Sequence, residues 1–176
     1  MLLRGVRLDT GVLATSLGIS RATLFRHAGN REAILVDALW YLAELTLRRA
    51  EANAERTPDG VRLRCLRVME EFRRVVAGSP AISGLLADEP VLGVRLLTDP
   101  RGRLQPRLVD AYTALLQRDV EEHGLTPLVP LPLLAFAVVR LGESFVYADV
   151  LAGREVDLDT ATTVVDALLT SVLVRP

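Results

Sequence analysis

Lysine is missing altogether: all 21 basic residues are arginine, a bias that suits a GC-rich genome and has no functional meaning by itself. Cysteine occurs once, at Cys65, which excludes an internal disulfide framework and fits a reducing cytoplasm. Set among apolar positions of helical spacing, that thiol reads as a core residue rather than a redox sensor. Histidine is almost as scarce. His27 and His123 lie far apart with no evident nucleophile near either, and no His/Cys cluster has metal-ligand spacing. A glycine-rich loop that would cradle phosphate is also lacking, and the acid pair in "DEP" at 88–90 falls at a helix end, where water is its ordinary partner. Catalytic residues, metal ligands and cofactors are therefore expected to be none, and the chain is not expected to be an enzyme. The longest apolar run, "LPLLAFAVV" at 131–139, is half the length that spans a bilayer, and no signal peptide opens the chain. A soluble cytoplasmic protein without a membrane partner is expected.

What is present is helix. The chain has 176 residues, half of them apolar, enough for a small module joined to a larger core. Asp9 is placed to cap a short helix to about Leu17, and Ser20 a second over Arg21 to His27, which Gly29-Asn30 ends. Asn30 then caps a long helix to about Arg56 with apolar residues at 3–4 spacing. Thr57-Pro58 and Ser79-Pro80 each set a cap before a proline at the first helical position. Glu89-Pro90 and "TDPRG" at 98–102 break the chain again. Helices follow from about Leu104 to His123, from Leu133 to Ala152 after the proline-rich linker "TPLVPLPL", and from Asp157 or Asp159 to Val174. There is no alternating strand pattern and no internal repeat. The expected fold is all-α with about eight helices, divided into a head over 1–39 and a body over 40–176. The last two helices are apolar on more than one face, and the second face calls for a partner, most economically another copy of the chain.

Charge is divided unevenly. Residues 1–31 carry five Arg (Arg4, Arg7, Arg21, Arg26, Arg31) against Asp9 alone, a net of +4, while the rest carries 16 Arg and 21 acids, a net of -5. A basic head on an acidic body suits a protein that meets phosphates with one end. Within that head, "LATSLGISRATLFRHAGN" meets the steric demands of a helix-turn-helix in order. Ala14 is small where two helices cross, and Gly18 lies where a positive φ is needed. Leu13, Leu17, Ile19 and Leu24 are placed to fix the angle between the helices. Ser20 caps the second helix and turns its N-terminal dipole toward phosphate. Arg21, Ala22, Thr23, Arg26 and His27 remain outside as a reading surface. Arg can bond guanine bidentately, Thr a base edge, and Ala can pack on a thymine methyl.

Residues 13–39, "LATSLGISRATLFRHAGNREAILVDAL", resemble the signature of the TetR family of bacterial transcriptional regulators, and are similar in tone to the subgroup that includes QsdR, a regulator of quorum-signal degradation. The resemblance implies a helical DNA-binding head on a ligand-binding, dimerising body, and places Thr23, Phe25, His27 and Arg31 at DNA-contacting positions, Arg31 near a phosphate. Phe25 stands where the family has Tyr, which removes a phosphate-bonding phenol worth about 1 kcal/mol per half-site. Ala28 stands where it has Phe. Only eight residues precede Asp9, whereas the family carries a complete first helix there; either the start lies inside a longer gene or the head is naturally shortened, and the first is preferred. For the body, polar residues on apolar stretches are the ligand candidates: Arg140, Ser144 and Tyr147 with Glu143 beside them, then Tyr112 and Phe72. Trp40 and Tyr41 face core or pocket. The expected function is a ligand-responsive regulator, a homodimeric repressor released from double-stranded operator DNA by an apolar small molecule, a lactone or acyl compound. The alternative is a dimeric small-molecule-binding protein that has lost DNA binding.

Overall fold

The computed structural model describes residues 7–57 and 62–175; Arg4 and Pro58 lie outside them. Nine helices are found among the described residues, α1 Thr10–Ser16, α2 Arg21–Ala28, α3 Arg31–Arg56, α4 Arg64–Ala77, α5 Pro80–Asp88, α6 Pro90–Thr98, α7 Gln105–His123, α8 Leu131–Leu151 and α9 Leu158–Val172. The all-α class expected from the periodicity is what the chain adopts. Side-chain caps mark four of the nine helix starts, those of α1, α2, α3 and α9. The Asp9 carboxylate accepts from the Gly11 and Val12 amides at 2.7 and 3.1 Å, Asn30 Oδ1 from Ala33 at 2.8 Å, and Asp157 from Thr160 at 2.9 Å. Each such cap is worth about 1 kcal/mol.

Three boundaries differ from the sequence reading. The fourth helix begins at Arg64, and its cap is supplied from across the chain. Asp119 of α7 accepts from the Cys65 amide at 2.7 Å, while Leu63 at the N-cap offers no side-chain bond. Ser79 precedes Pro80 as expected, yet its hydroxyl makes no capping bond. The proline-rich linker does not run free to Leu133. Thr126–Pro127 (β1) pairs antiparallel with Leu173–Val174 (β2), which ends α9 at Val172 and lets α8 start at Leu131. Two-residue strands are too short to show alternation, so no pattern announced them.

The body is organised around α4, which packs against α3, α7, α8 and α9. Its Cys65, Leu66, Val68, Met69 and Phe72 are buried together with Leu116 of α7, Leu134 and Val138 of α8, and Val165 and Leu169 of α9. Each large apolar side chain removed from water contributes roughly 1.5–3 kcal/mol. α8 reaches a mean hydropathy of 1.5 over 21 residues, which by length and composition matches a membrane span. Its Leu134, Ala135, Val138, Val139 and Val146 are nevertheless buried in this core, and it is a core helix.

A second core joins head to body. Leu8, Leu35, Val36 and Leu39 pack with Ile82, Leu85 and Leu86 of α5, Leu96 and Leu97 of α6, and Leu104, with Leu13 at its margin. α3 runs unbroken through both cores. One continuous helical rod thus links the two cores.

Candidate nucleic-acid interface and effector cavity

The head is built as a helix-turn-helix. Gly18 adopts φ +67° in the turn, and Ile19 N–H bonds back to the Ala14 carbonyl at 3.1 Å. Ala14 is buried at the crossing and Leu24 beneath α2. Ser20 Oγ accepts from the Thr23 amide at 3.1 Å and lies 3.0 Å from Thr23 Oγ1. Ala22, Arg26 and His27 are exposed, with Thr23 and Phe25 half-buried beside them. Arg21, also exposed, leans toward α1, its Nη2 3.4 Å from Thr10 Oγ1. Leu17 and Ile19 depart from the expected packing: they are 57% and 38% exposed. Val12 of α1 is likewise exposed.

Arg31 is not set in the row on α2. Its Nη1 and Nη2 donate to Glu89 Oε2 and Oε1 at 3.0 and 2.5 Å, and its Nε to the Leu8 carbonyl at 3.1 Å. This fork-to-fork pair holds the Glu89 carboxyl below the usual glutamate range, with help from Arg7. Glu89 stands at the junction of α5 and α6. The start of α3 is thus clamped onto the two helices that form the second core.

Those helices wall a cavity. Leu39, Trp40, Ala43 and Thr46 of α3 face Phe72 and Val76 of α4, Ile82 of α5, Leu97 of α6, Leu108 of α7 and Tyr147 of α8. Its volume is about 70 Å³, room for a few atoms, whereas small-molecule sites typically measure about 300–1,000 Å³. A ligand must part the helices to enter. Trp40 forms part of this wall with the Arg107 guanidinium 5.6 Å over its ring. Tyr41, one residue and 100° further round α3, is 60% exposed and belongs to neither core nor cavity.

A second, more polar hollow adjoins the first through Phe72, Val76, Leu108 and Tyr147, and adds Arg73, Tyr112, Gly142 and Glu143. Phe72 and Tyr112 meet edge to face with centroids 6.1 Å apart. Burial pushes the Tyr112 and Tyr147 phenols up, and raises the Glu143 carboxyl as well. Glu143 accepts from Gln105 Nε2 at 2.7 Å and from Arg140 Nη1 at 2.9 Å. Of the six body residues expected from sequence, Phe72, Tyr112, Glu143 and Tyr147 line the hollow. Arg140 reaches it only through Glu143, its other bond going to the Thr98 carbonyl. Ser144 is exposed and lies apart from these residues. α8 lines the hollow with the i, i+4 pair Glu143 and Tyr147; of the Arg140, Ser144 and Tyr147 face expected from sequence, Tyr147 points inward and Ser144 does not.

Arg73 and Gln105 were missed by the sequence reading. Arg73 had a signal, since Leu66, Met69, Arg73 and Val76 recur at spacings of three and four, and a charged residue on the apolar stripe of α4 must be buried. Asp119, Glu122 and His123 bring ligand atoms within 4.8 Å of one another. Arg64 pairs with Asp119 at 3.4 Å and Glu122 at 2.9 Å, so the space between those acids already holds a cation.

The profile described as "Tetracyclin repressor-like, C-terminal domain" matches residues 60–170. The chain belongs to the TetR family. The solved structure of the transcriptional repressor QsdR of R. erythropolis superposes with a TM-score of 0.81 at 29% identity, covering all of this chain and 90% of that one. The TetR-family repressor AlkX of Dietzia sp. strain DQ12-45-1b, described as implicated in the biodegradation of n-alkanes, shares the fold at a TM-score of 0.59 and 23% identity, over 94% of this chain and 85% of that one. No curated protein matches the chain significantly. TetR-family repressors bind operator DNA and small-molecule effectors as dimers, and the protein carries the fold of such DNA-binding regulators.

Proposed function

We propose that the protein is a cytoplasmic, homodimeric repressor that binds double-stranded operator DNA through α2 and leaves it when an apolar effector, a lactone or acyl compound, enters the cavity beneath Trp40. The domain division at residue 39/40 then separates the reading head from the sensing body. One observation carries this reading. α3 presents its first residue to the Glu89 clamp and, two to four turns later, supplies a wall of the cavity through Leu39, Trp40, Ala43 and Thr46. An effector that parts α3 from α4 and α5 must move the rod that sets the head, and so changes the spacing of two heads on successive major grooves.

α8 and α9 supply the dimer face. Leu133, Phe136 and Leu151 on α8 and Val164 on α9 are exposed, and they continue the apolar character of helices whose opposite sides are buried. The head contributes Ser20, Arg21, Ala22, Thr23, Phe25, Arg26 and His27 to the DNA contact, while Arg31 acts through Glu89.

The exposed Val12, Leu17 and Ile19 favour a second reading, a dimeric effector-binding protein whose head no longer grips DNA. Fluorescence anisotropy with duplex DNA from the region upstream of the gene separates the two. Sequence-selective binding that weakens steeply with salt is expected. Binding equal to that of unrelated duplex, or none, decides for the second reading.

A further inference from the structure

Arg73 is 4% exposed, and its guanidinium is poorly matched. Nη2 reaches Thr162 Oγ1 of α9 at 3.3 Å, while Nε and Nη1 are buried with no acceptor among the described residues. A guanidinium keeps its charge and presents donors in a fixed planar fork, so it calls for an anion of matching shape. The acids whose charge reaches Arg73 are Asp166 and Glu70, and both are held by another arginine. Arg62 meets Asp166 through Nε and Nη2 at 2.8 Å each and pairs with Glu70 through Nη1. Glu143, the acid facing the same hollow, is taken by Gln105 and Arg140. Each of these acids has its own donor, and the buried cation has no counter-ion among the described residues.

The hollow that Arg73 lines lies beside the apolar cavity, with Phe72, Val76, Leu108 and Tyr147 lining both. Above the stem of Arg73, α8 carries Gly142, where an added Cβ would lie 3.6 Å from Cδ, so α8 closes over the arginine. The apolar cavity thus has beside it a hollow lined in part by Arg73, whose Nε and Nη1 are buried without an acceptor among the described residues.

We infer that the effector is an amphiphilic carboxylate, its hydrocarbon part in the apolar cavity and its carboxylate on Arg73. This rests on the reading of the cavity as the effector site and narrows the lactone or acyl compound proposed above to the free acid. A neutral lactone, ester or alcohol accepts a hydrogen bond but leaves the cation unneutralised. A carboxylate takes two parallel bonds from the fork and cancels the charge.

Calorimetric titration of the full chain with decanoate, decanol and a decalactone tests it, with octanoate and dodecanoate alongside. Wild type is expected to bind decanoate at least about tenfold more tightly than either neutral compound, the scale of a charge-assisted pair. Arg73→Met is expected to lose that preference. It should melt no lower than wild type without ligand, because an orphan charge has been replaced by an apolar chain. Arg73→Lys keeps the charge without the fork and should fall between them. Equal binding of neutral and charged compounds by wild type overturns the inference and leaves the cavity reading standing. So does an unchanged preference in Arg73→Met, or loss of the dimer in that variant with selectivity intact, which would place the counter-charge on the second copy. Failure of all the compounds to bind overturns the cavity reading as well.

Discussion

At the scale of single residues the head and the body respond to different losses. Arg26→Ala removes an exposed group from α2, and Thr23→Ala a half-buried hydroxyl that touches only the Ser20 cap, so each is expected to weaken operator binding by about 1–3 kcal/mol while the circular dichroism melt of the protein changes little. Unaltered affinity in both would take these residues off the reading surface. Asp119→Ala does the reverse. It strips the buried acceptor from the Cys65 amide and the ion pair from Arg64. Urea unfolding should show a loss of about 2–3 kcal/mol, with DNA affinity per folded molecule retained. The Ser20 cap, the Gly18 turn and the buried Ala14 were legible in the sequence because each answers to a local steric rule. Arg31 was not, since its partner Glu89 is distant in sequence and no short-range pattern links them. Ser144 illustrates a third case: α8 is apolar nearly all round, so hydrophobic phase alone does not say which of two adjacent polar residues turns inward.

Among the elements, α3 bears most directly on function, and its clamp is sensitive to acid. The Arg31 guanidinium lowers the Glu89 carboxyl relative to its unfolded value. The clamp's contribution is then complete above the ordinary glutamate range and disappears as the pH falls through the depressed value. Protection factors in α1 and α2 are expected to hold down through the ordinary glutamate range and to drop as the pH falls below it, while α7 and α9 remain protected. Glu89→Gln should show fast exchange in α1 and α2 at neutral pH and no such acid step. Equal protection of the head in both proteins would mean that the apolar packing of Leu8 and Leu35 holds it without the ion pair. Most helices were foreseeable from capping residues and prolines. The β1–β2 pair was not, because it joins the linker before α8 to the end of the chain, a contact decided by tertiary closure rather than by propensity.

For the whole molecule, the proposed dimer face is what substitution can test. Leu133→Glu combined with Phe136→Glu places charges on the exposed stripe of α8 without touching its buried side. Sedimentation should show a monomer that keeps its helix content and binds DNA far more weakly, since one head spans one half-site. A dimer that survives the double substitution would move the interface elsewhere.

The solitary Cys65 gives the protein a built-in clock. Its thiol has no exposed surface, and burial pushes its pKa upward, so a maleimide can reach it only when α4 parts from α7. With no lysine in the chain, side-chain amines do not compete for the reagent. The labelling rate of the unaltered protein therefore times how often the body opens, and a compound that settles in the closed cavity should slow it in proportion to how tightly it binds.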